Sequence, residues 1–442
     1  MLLGSVGDFR RDSLGFMEEV ARRYGDVARY RMANMVWHQV NHPEGVRRVL
    51  QQNNHNYGKG SLTKGIIGPI LGEGLFTSEG GTWMRQRRLM APVFHRKSVA
   101  SFGEMMTDST LEMLKRWEVA MDTRAPLDVA AEMAGLTLDI VTGALFSSHV
   151  GEEPEVVSRS VETILAEVSH RFSVPFYPPL RVPTRRNLRL KGAIRTIDRA
   201  VYRIIEERRR RGGGGDDLLA LLMGARDEET GEAMTDTQLR DEVITLFIAG
   251  HETTANALAW TFYLLAKNPE SERKLRDELD RELGANGSQH PPSVADLPRI
   301  PYARRVVEEA MRLYPPAWIT NRQALEDDEI LGYRIPAGAF VMISPYVIHR
   351  HPDLWENPLA FDPDRFSPER SEGRPRYAYF PFGGGPRQCI GRDMALVEAH
   401  LILAAIVGKC RLRLASESTA VEPEALATLR PRGGLPMSVE TA

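Results

Sequence analysis

Apolar positions recur three and four residues apart over most of this chain, a period that predicts a mainly helical protein. Asp12 or Ser13 caps a first helix that runs through Tyr24 and stops at Gly25. Two strand-like runs follow, Val27–Met32 and Val36–Asn41, and Pro43 opens the next helix near its first position. Between positions 57 and 81, glycines (Gly58, Gly60, Gly65, Gly68, Gly72, Gly74, Gly80, Gly81) alternate with Ile66, Ile67, Ile70, Leu71, Leu75 and Phe76. That texture predicts a long, partly ordered loop with an apolar lining. Helical spacing resumes from about Trp83 to about Arg211. Its main break is Phe172–Leu180, where three prolines forbid a helix while Phe172, Phe176, Tyr177 and Leu180 stay apolar. Thr235 and Gln238 form a capping-box signature, and the helix they open continues to Lys267. At 1.5 Å per residue it would span about 48 Å, enough to cross a domain with its middle buried. Further helices are predicted over 270–284 and 299–313. After Pro315–Pro316 short strand-like pieces appear, Glu329–Ile335 and Phe340–Ser344, and a last helix covers Gly391–Gly408. With no repeat and no linker, the pattern predicts one domain over 1–442, mainly α with a small β-rich part.

Composition narrows the function classes. Hydrophobic residues are 42% and charged residues 26%, as in ordinary globular proteins. A net charge of −2 excludes a globally basic nucleic-acid binder. The basic run Arg208–Arg211, followed by Gly212–Gly215, reads as a solvated helix end and not as a nucleic-acid patch. Two cysteines, Cys389 and Cys410, exclude a disulfide framework and a four-cysteine zinc site, and point to an intracellular, cytoplasmic chain. The longest apolar runs, such as Leu401–Val407, fall short of the roughly 18–20 residues a membrane span needs. The N-terminus has no signal-peptide pattern, so no transmembrane segment is expected.

The most informative segment is Phe382–Gly391 (FGGGPRQCIG). A glycine-dense loop carries a lone cysteine directly into a helix. The glycines allow close backbone approach to a flat ligand. Free N–H groups at the helix start favour a thiolate at Cys389, and Arg387 offers a cation two residues away. Such a sulfur suits an axial ligand to haem iron; a reactive nucleophile and a structural cysteine are the alternatives. Cys410 has neither the loop nor the cation and reads as structural.

The pattern Phe382, Gly385, Arg387, Cys389, Gly391 resembles the haem-binding loop of cytochrome P450 monooxygenases. Four more segments resemble that family's motifs, in its order: Trp83-x-x-x-Arg87, Ala249-Gly250-His251-Glu252-Thr253-Thr254, Glu309-x-x-Arg312 and Phe361–Phe366 with Arg365. The resemblance implies the P450 fold, with haem between the long central helix and the cysteine-loop helix. It implies Cys389 as the iron ligand and Glu252 and Thr253 as proton donors. Ala249, with Gly250, would leave room for the macrocycle. Arg387, Arg87, Arg322 and Trp83 are candidates for the two propionates, with Phe382 and Gly391 shaping the loop. Glu309 and Arg312, one face apart on a helix, would join Arg365 in a structural network. His251 lies about 200° around the helix from Ala249 and Thr253, away from the haem face. The sequence His251–Ala255 (HETTA) lacks the second histidine of a zinc protease.

By the same resemblance the cofactor is haem b, iron protoporphyrin IX, with O2 as co-substrate. Electrons come from NAD(P)H through separate partners, a ferredoxin and its reductase, because the chain shows no Rossmann fingerprint and too few cysteines for an iron–sulfur domain. Arg85, Arg88, Arg96, Lys97 and Arg392 have no assigned internal partner and would form a docking face for an acidic partner. The expected reaction is hydroxylation or epoxidation of a lipophilic molecule, a terpenoid or polyketide of secondary metabolism, by a monomer. The pocket is expected from Ile66, Leu71, Phe172, Phe176, Leu246, Ala249, Ala317, Trp318 and Ile319. The rival readings are a fatty-acid hydroxylase, a peroxide-driven peroxygenase, which would tend to lose the Glu252–Thr253 pair, and a haem sensor, which would carry an output domain.

Overall fold

The computed structural model describes residues 4–441 apart from 124, 147–153, 175–176, 211, 213, 285–289 and 417–420. In chain order its elements are α1 (Val6–Arg11), α2 (Ser13–Tyr24), β1 (Val27–Met32), β2 (Met35–Val40), α3 (Pro43–Arg47), β3 (Tyr57–Gly58), α4 (Gly60–Leu71), α5 (Gly80–Met90), α6 (Arg96–Ser101), α7 (Gly103–Thr123), β4 (Leu127–Asp128), α8 (Val129–Phe146), α9 (Pro154–Ser173), α10 (Arg185–Arg210) and α11 (Leu218–Gly224). The second half holds α12 (Asp236–Lys267), α13 (Pro269–Leu283), α14 (Pro301–Leu313), β5 (Thr320–Ala324), β6 (Asp328–Ile330), β7 (Tyr333–Ile335), β8 (Phe340–Ile343), α15 (Pro345–Ile348), α16 (Pro368–Ser371), α17 (Arg392–Lys409), β9 (Cys410–Leu414), β10 (Pro423–Ala425), β11 (Leu429–Pro431) and β12 (Pro436–Thr441).

The local signals act as chemistry requires. Asp12 caps α2 by accepting the Gly15 N–H at 2.9 Å, and Gly25 ends it at φ +77°. The Thr235–Gln238 box is reciprocal: Gln238 N–H to Thr235 Oγ1 at 3.2 Å, Thr235 N–H to Gln238 Oε1 at 3.0 Å. α12 is apolar around most of its circumference and is buried accordingly, against α8, α14, α10 and α17. The main core gathers these helices with α4 and α7. The largest sheet, in order β1-β2-β8-β5-β3, forms the β-rich side. Its one parallel pair, β2 with β8, sets Trp37 opposite Phe340, and their rings stack 4.8 Å apart.

Three expectations need correction. Residues 60–71 form helix α4, not a loop. Ile66, Ile67, Ile70 and Leu71 fall on one helical face, and burying that face in the core overrides the poor propensity of glycine and Pro69. The Glu329–Ile335 piece is a hairpin, β6 and β7, turning at Leu331–Gly332. Val129–Phe146 is an 18-residue helix long and apolar enough to cross a membrane by length and composition, beyond the short apolar runs expected; half of it is buried in the core against α12.

Candidate functional site

The loop before α17 holds Cys389, whose N–H donates to the Phe382 carbonyl at 3.0 Å. Two of its glycines serve the protein's own packing. Gly385, at φ +65°, brings its Cα against the Leu50 carbonyl, where a Cβ would stand 1.7 Å from the oxygen. Gly384 clears the Tyr377 ring in the same way. Cys389 lies deep among protein neighbours, yet its side chain keeps accessible surface. Burial pushes its thiol up, opposed by the Gly391 N–H and the Arg87 guanidinium, the two groups that favour a thiolate. Cys410 is buried against Arg276 and Lys409, with its thiol pushed up to about 12.

Arg387 leaves the same loop. Its Nη2 donates to the Ser78 carbonyl at 3.0 Å and its guanidinium lies 4.4 Å over the Trp83 ring. Its Nη1 is buried without a partner. Arg322 and Arg387 both stand close enough to Lys59 to depress its ammonium electrostatically. Burial and Arg387 bring Arg322 down to about 10; burial, Arg322 and Arg387 bring Lys59 far below the usual ammonium range. Glu79 is the carboxylate that answers this trio, and it is shared with Lys64 at 2.6 Å. Three cations around one shared carboxylate, Arg322 buried and Lys59 and Arg387 half-buried, call for further negative charge. Two propionates would supply it, and the unpaired Arg387 Nη1 would give one a donor. Lys59, which also stacks 3.7 Å over Phe76, was missed from sequence because a single lysine in a glycine-rich stretch carries no motif. Arg87 sits on the thiol's side, with Cys389 as the group acting on its charge.

On α12, Ala249 keeps exposed surface in the middle of a mostly buried helix. Thr253 Oγ1 donates to the Ala249 carbonyl at 2.7 Å. Gly250 does not share that open side: a Cβ there would stand 3.1 Å from Val141 on α8. His251 also faces α8, hydrogen-bonding the Ala134 carbonyl, so it lies off the open face as its position on the helix predicts. Glu252 accepts from Thr428 Oγ1 at 2.8 Å, and burial raises its carboxyl.

Glu309, Arg312 and Arg365 meet in the interior. Arg312 grips Glu309 in a fork, Nε to Oε2 at 2.7 Å and Nη2 to Oε1 at 2.9 Å, with both side chains fully buried. Arg365 Nε stands 3.4 Å from Glu309 Oε1. The remaining donors are spent on backbone: Arg312 on the carbonyls of His349, Pro358 and Ala360, and Arg365 on those of Glu356 and Asn357. The network therefore pins the segment that leads to the cysteine loop.

The chain matches the cytochrome P450 family over residues 1–435. It belongs to that family. It is 38% identical to a cyclooctatin synthase of Streptomyces melanosporofaciens, over 88% of this chain and 83% of that one. It is 34% identical to a pentalenene oxygenase of Streptomyces avermitilis, over 97% and 93%. Among solved structures, the cytochrome P450DA heme domain superposes with a TM-score of 0.88 at 28% identity, covering 97% of this chain and 93% of that one. The P450 is thus an oxidoreductase of the monooxygenase family, whose members use haem, O2 and NAD(P)H-derived electrons delivered by partner proteins.

Several expected pocket positions are spent elsewhere in this P450. Ile66 and Leu71 are buried on the core face of α4. Trp318 is buried against Trp37 and Phe340, with Nε1 donating to the Leu426 carbonyl at 2.9 Å. Leu246 and Ile319 are half-buried, whereas Ala249 and Ala317 are exposed. Phe76, in the loop after α4, is 40% exposed beneath Lys59. Phe172 lies in the last turn of α9, and its side chain and all of Phe176 lie outside the described residues. The expected docking face is also smaller than its sequence suggests. Arg85 bonds the Ala233 carbonyl at 3.0 Å, and Arg88 bonds Asp227 at 3.1 Å and Glu229 at 2.9 Å. Both hold down the 227–233 loop. Arg96 is 3.8 Å from Asp393, while Lys97 and Arg392 stay exposed.

Proposed function

We propose that the chain works as a single cytoplasmic haem-thiolate domain that inserts one oxygen atom from O2 into a terpenoid of secondary metabolism. The observation that carries the cofactor reading is the exposed Cys389 on the same loop as Arg387, which with Lys59 and Arg322 gathers three cations around Glu79. Cys389 would hold the iron of haem b through its sulfur, whose charge the Gly391 N–H and Arg87 would stabilise. Lys59, Arg322 and the Trp83-braced Arg387 would hold the propionates. When bound, the haem supplies the redox and oxygen chemistry. The protein supplies the rest. Ala249 leaves space on α12 for the macrocycle. Thr253, after releasing its bond to the Ala249 carbonyl, presents a hydroxyl proton on the open face, and Glu252 on the next position replenishes it. Glu309, Arg312 and Arg365 act structurally.

Leu246, Ala317 and Ile319 offer apolar surface that suits a hydrocarbon skeleton. The names of the two Streptomyces relatives, one for cyclooctatin and one for pentalenene, support a terpenoid. Electrons come through a ferredoxin and its reductase, and the protein acts as a monomer.

The test pairs a spectrum with a turnover. Reduced protein with CO should give the red-shifted Soret band of a thiolate-ligated haem, retained in Cys410→Ser and lost in Cys389→His. With NADPH, surrogate ferredoxin and reductase, a panel of cyclic terpene hydrocarbons should yield mono-oxygenated products. A band retained in Cys389→His would sink the ligand assignment. Turnover driven by peroxide alone, with none from NADPH, would favour the peroxygenase.

A further inference from the structure

Glu252 does not stand alone on its side of α12. Thr428, in the turn between β10 and β11, donates its hydroxyl to Glu252 Oε1 at 2.8 Å. Asn256, one helical turn beyond Glu252, donates Nδ2 to that same hydroxyl at 2.9 Å. Because the Asn256 N–H occupies the Thr428 oxygen, the Thr428 proton is directed to the carboxylate. The chain therefore runs one way, from amide to hydroxyl to carboxylate, and favours the charged form of Glu252. Thr428 and Asn256 are both buried. The turn itself is fixed from two directions: Trp260 Nε1 on α12 donates to the Leu429 carbonyl at 3.0 Å, and Trp318 Nε1 donates to the Leu426 carbonyl at 2.9 Å. Leu429 N–H adds a bond to the Pro316 carbonyl at 3.0 Å. Trp318 lies between Ala317 and Ile319, the two residues of that segment with uncovered surface.

We propose that Thr428 is a positioning residue that docks Glu252 on the β10–β11 turn, and that Glu252 serves the reaction by leaving this dock and returning to it. The turn shares its anchor with Ala317 and Ile319, so a substrate that moves this segment also changes the strength of the dock. The other charge acting on Glu252 is Arg430 on β11, which is itself bonded to Glu424 at 2.8 Å; His251 on α12 faces α8 instead. This inference rests on the reading of Glu252 as proton donor.

The test uses the haem-loaded enzyme and three variants, Thr428→Val, Thr428→Ser and Glu252→Gln. The protonation of Glu252 is read as a carboxyl infrared band over pH, assigned by its absence in Glu252→Gln. Losing a hydrogen bond to the charged form should raise that titration by about one pH unit, a tenfold gain in proton affinity, in Thr428→Val. Thr428→Ser should restore it, and substrate should shift it in the wild type but not in Thr428→Val. The pH profile of product formed per NADPH should move with the band, while the CO spectrum stays put. A band and a pH profile unmoved by Thr428→Val would overturn the dock. Wild-type coupling in Glu252→Gln would instead remove Glu252 from proton delivery, leaving the infrared result to speak for the dock alone.

Discussion

Replacing Glu242 by glutamine should stabilise the protein by an amount that grows with pH. Glu242 lies on α12 beside the turn that follows α4. Its Oε2 accepts the Leu75 N–H at 2.9 Å, while Oε1 is buried without a partner. The adjacent Asp241 accepts the Glu73 N–H at 2.8 Å and pairs with Arg240 at 2.7 Å. Gly72 is needed here twice over, for φ +65° and because a Cβ would stand 2.3 Å from the Asp241 carboxylate. Burial, and then the charge of Asp241, push the Glu242 carboxyl from 4.5 up to about 8, against the opposing Leu75 hydrogen bond. The sign follows from proton counts. Between those values the folded protein keeps a proton that the unfolded chain has released. Stability from this group is therefore full below pH 4.5 and is lost as the pH rises toward about 8.

At about 1.4 kcal/mol per pH unit the ceiling is about 5 kcal/mol, and water entry and side-chain rotation should leave about 2–3 kcal/mol. With about 2.1 cal/mol/K of unfolding entropy per residue over 442 residues, 1 kcal/mol moves Tm by about 1 °C. Glutamine keeps an acceptor for Leu75 and carries no charge, and any fixed cost of its amide drops out of the pH slope. Thermal melts of both proteins should therefore run parallel below about pH 4 and diverge as the pH rises from there, by about 2–3 °C in favour of Glu242→Gln at pH 8.5. A Tm difference that is flat in pH, or that falls, would refute a buried proton at this site.

Glu309→Ala should lower stability by about 3–5 kcal/mol and impair haem incorporation, because Arg312 and Arg365 lose their shared carboxylate and the Asp362 N–H loses its acceptor at 2.9 Å. Pulse proteolysis and the haem-to-protein absorbance ratio check this, and a stable, haem-replete variant would contradict it. Reversing Lys97 and Arg392 to Glu should slow reduction by an acidic ferredoxin about tenfold at low ionic strength, with the gap closing as salt rises. Stopped-flow reduction with wild-type substrate affinity is the readout, and a rate indifferent to both changes and to salt moves the docking face elsewhere.

How much of this was legible in the sequence follows from where each residue's partner lies along the chain. Glu309 and Arg312 sit three positions apart, and the Cys389 loop and Glu252–Thr253 are contiguous, so short patterns announced them. The α12 boundaries were readable because a capping box and Asn268–Pro269 are themselves local devices. α4 was not, because its glycines conceal a helical face that only the core rewards. Arg85 and Arg88 looked free for the same reason that Thr428 gave no signal. The acceptors of the two arginines lie 139 to 148 positions away, and Glu252 lies 176 positions from Thr428. A cation or hydroxyl on a surface-like helix or turn has the same sequence signature whether it is solvated or engaged. Long-range folding alone decides which. The motif residues of this P450 thus announce its chemistry, whereas Lys59 among the cations and Thr428 beside the acid are visible only once distant segments meet.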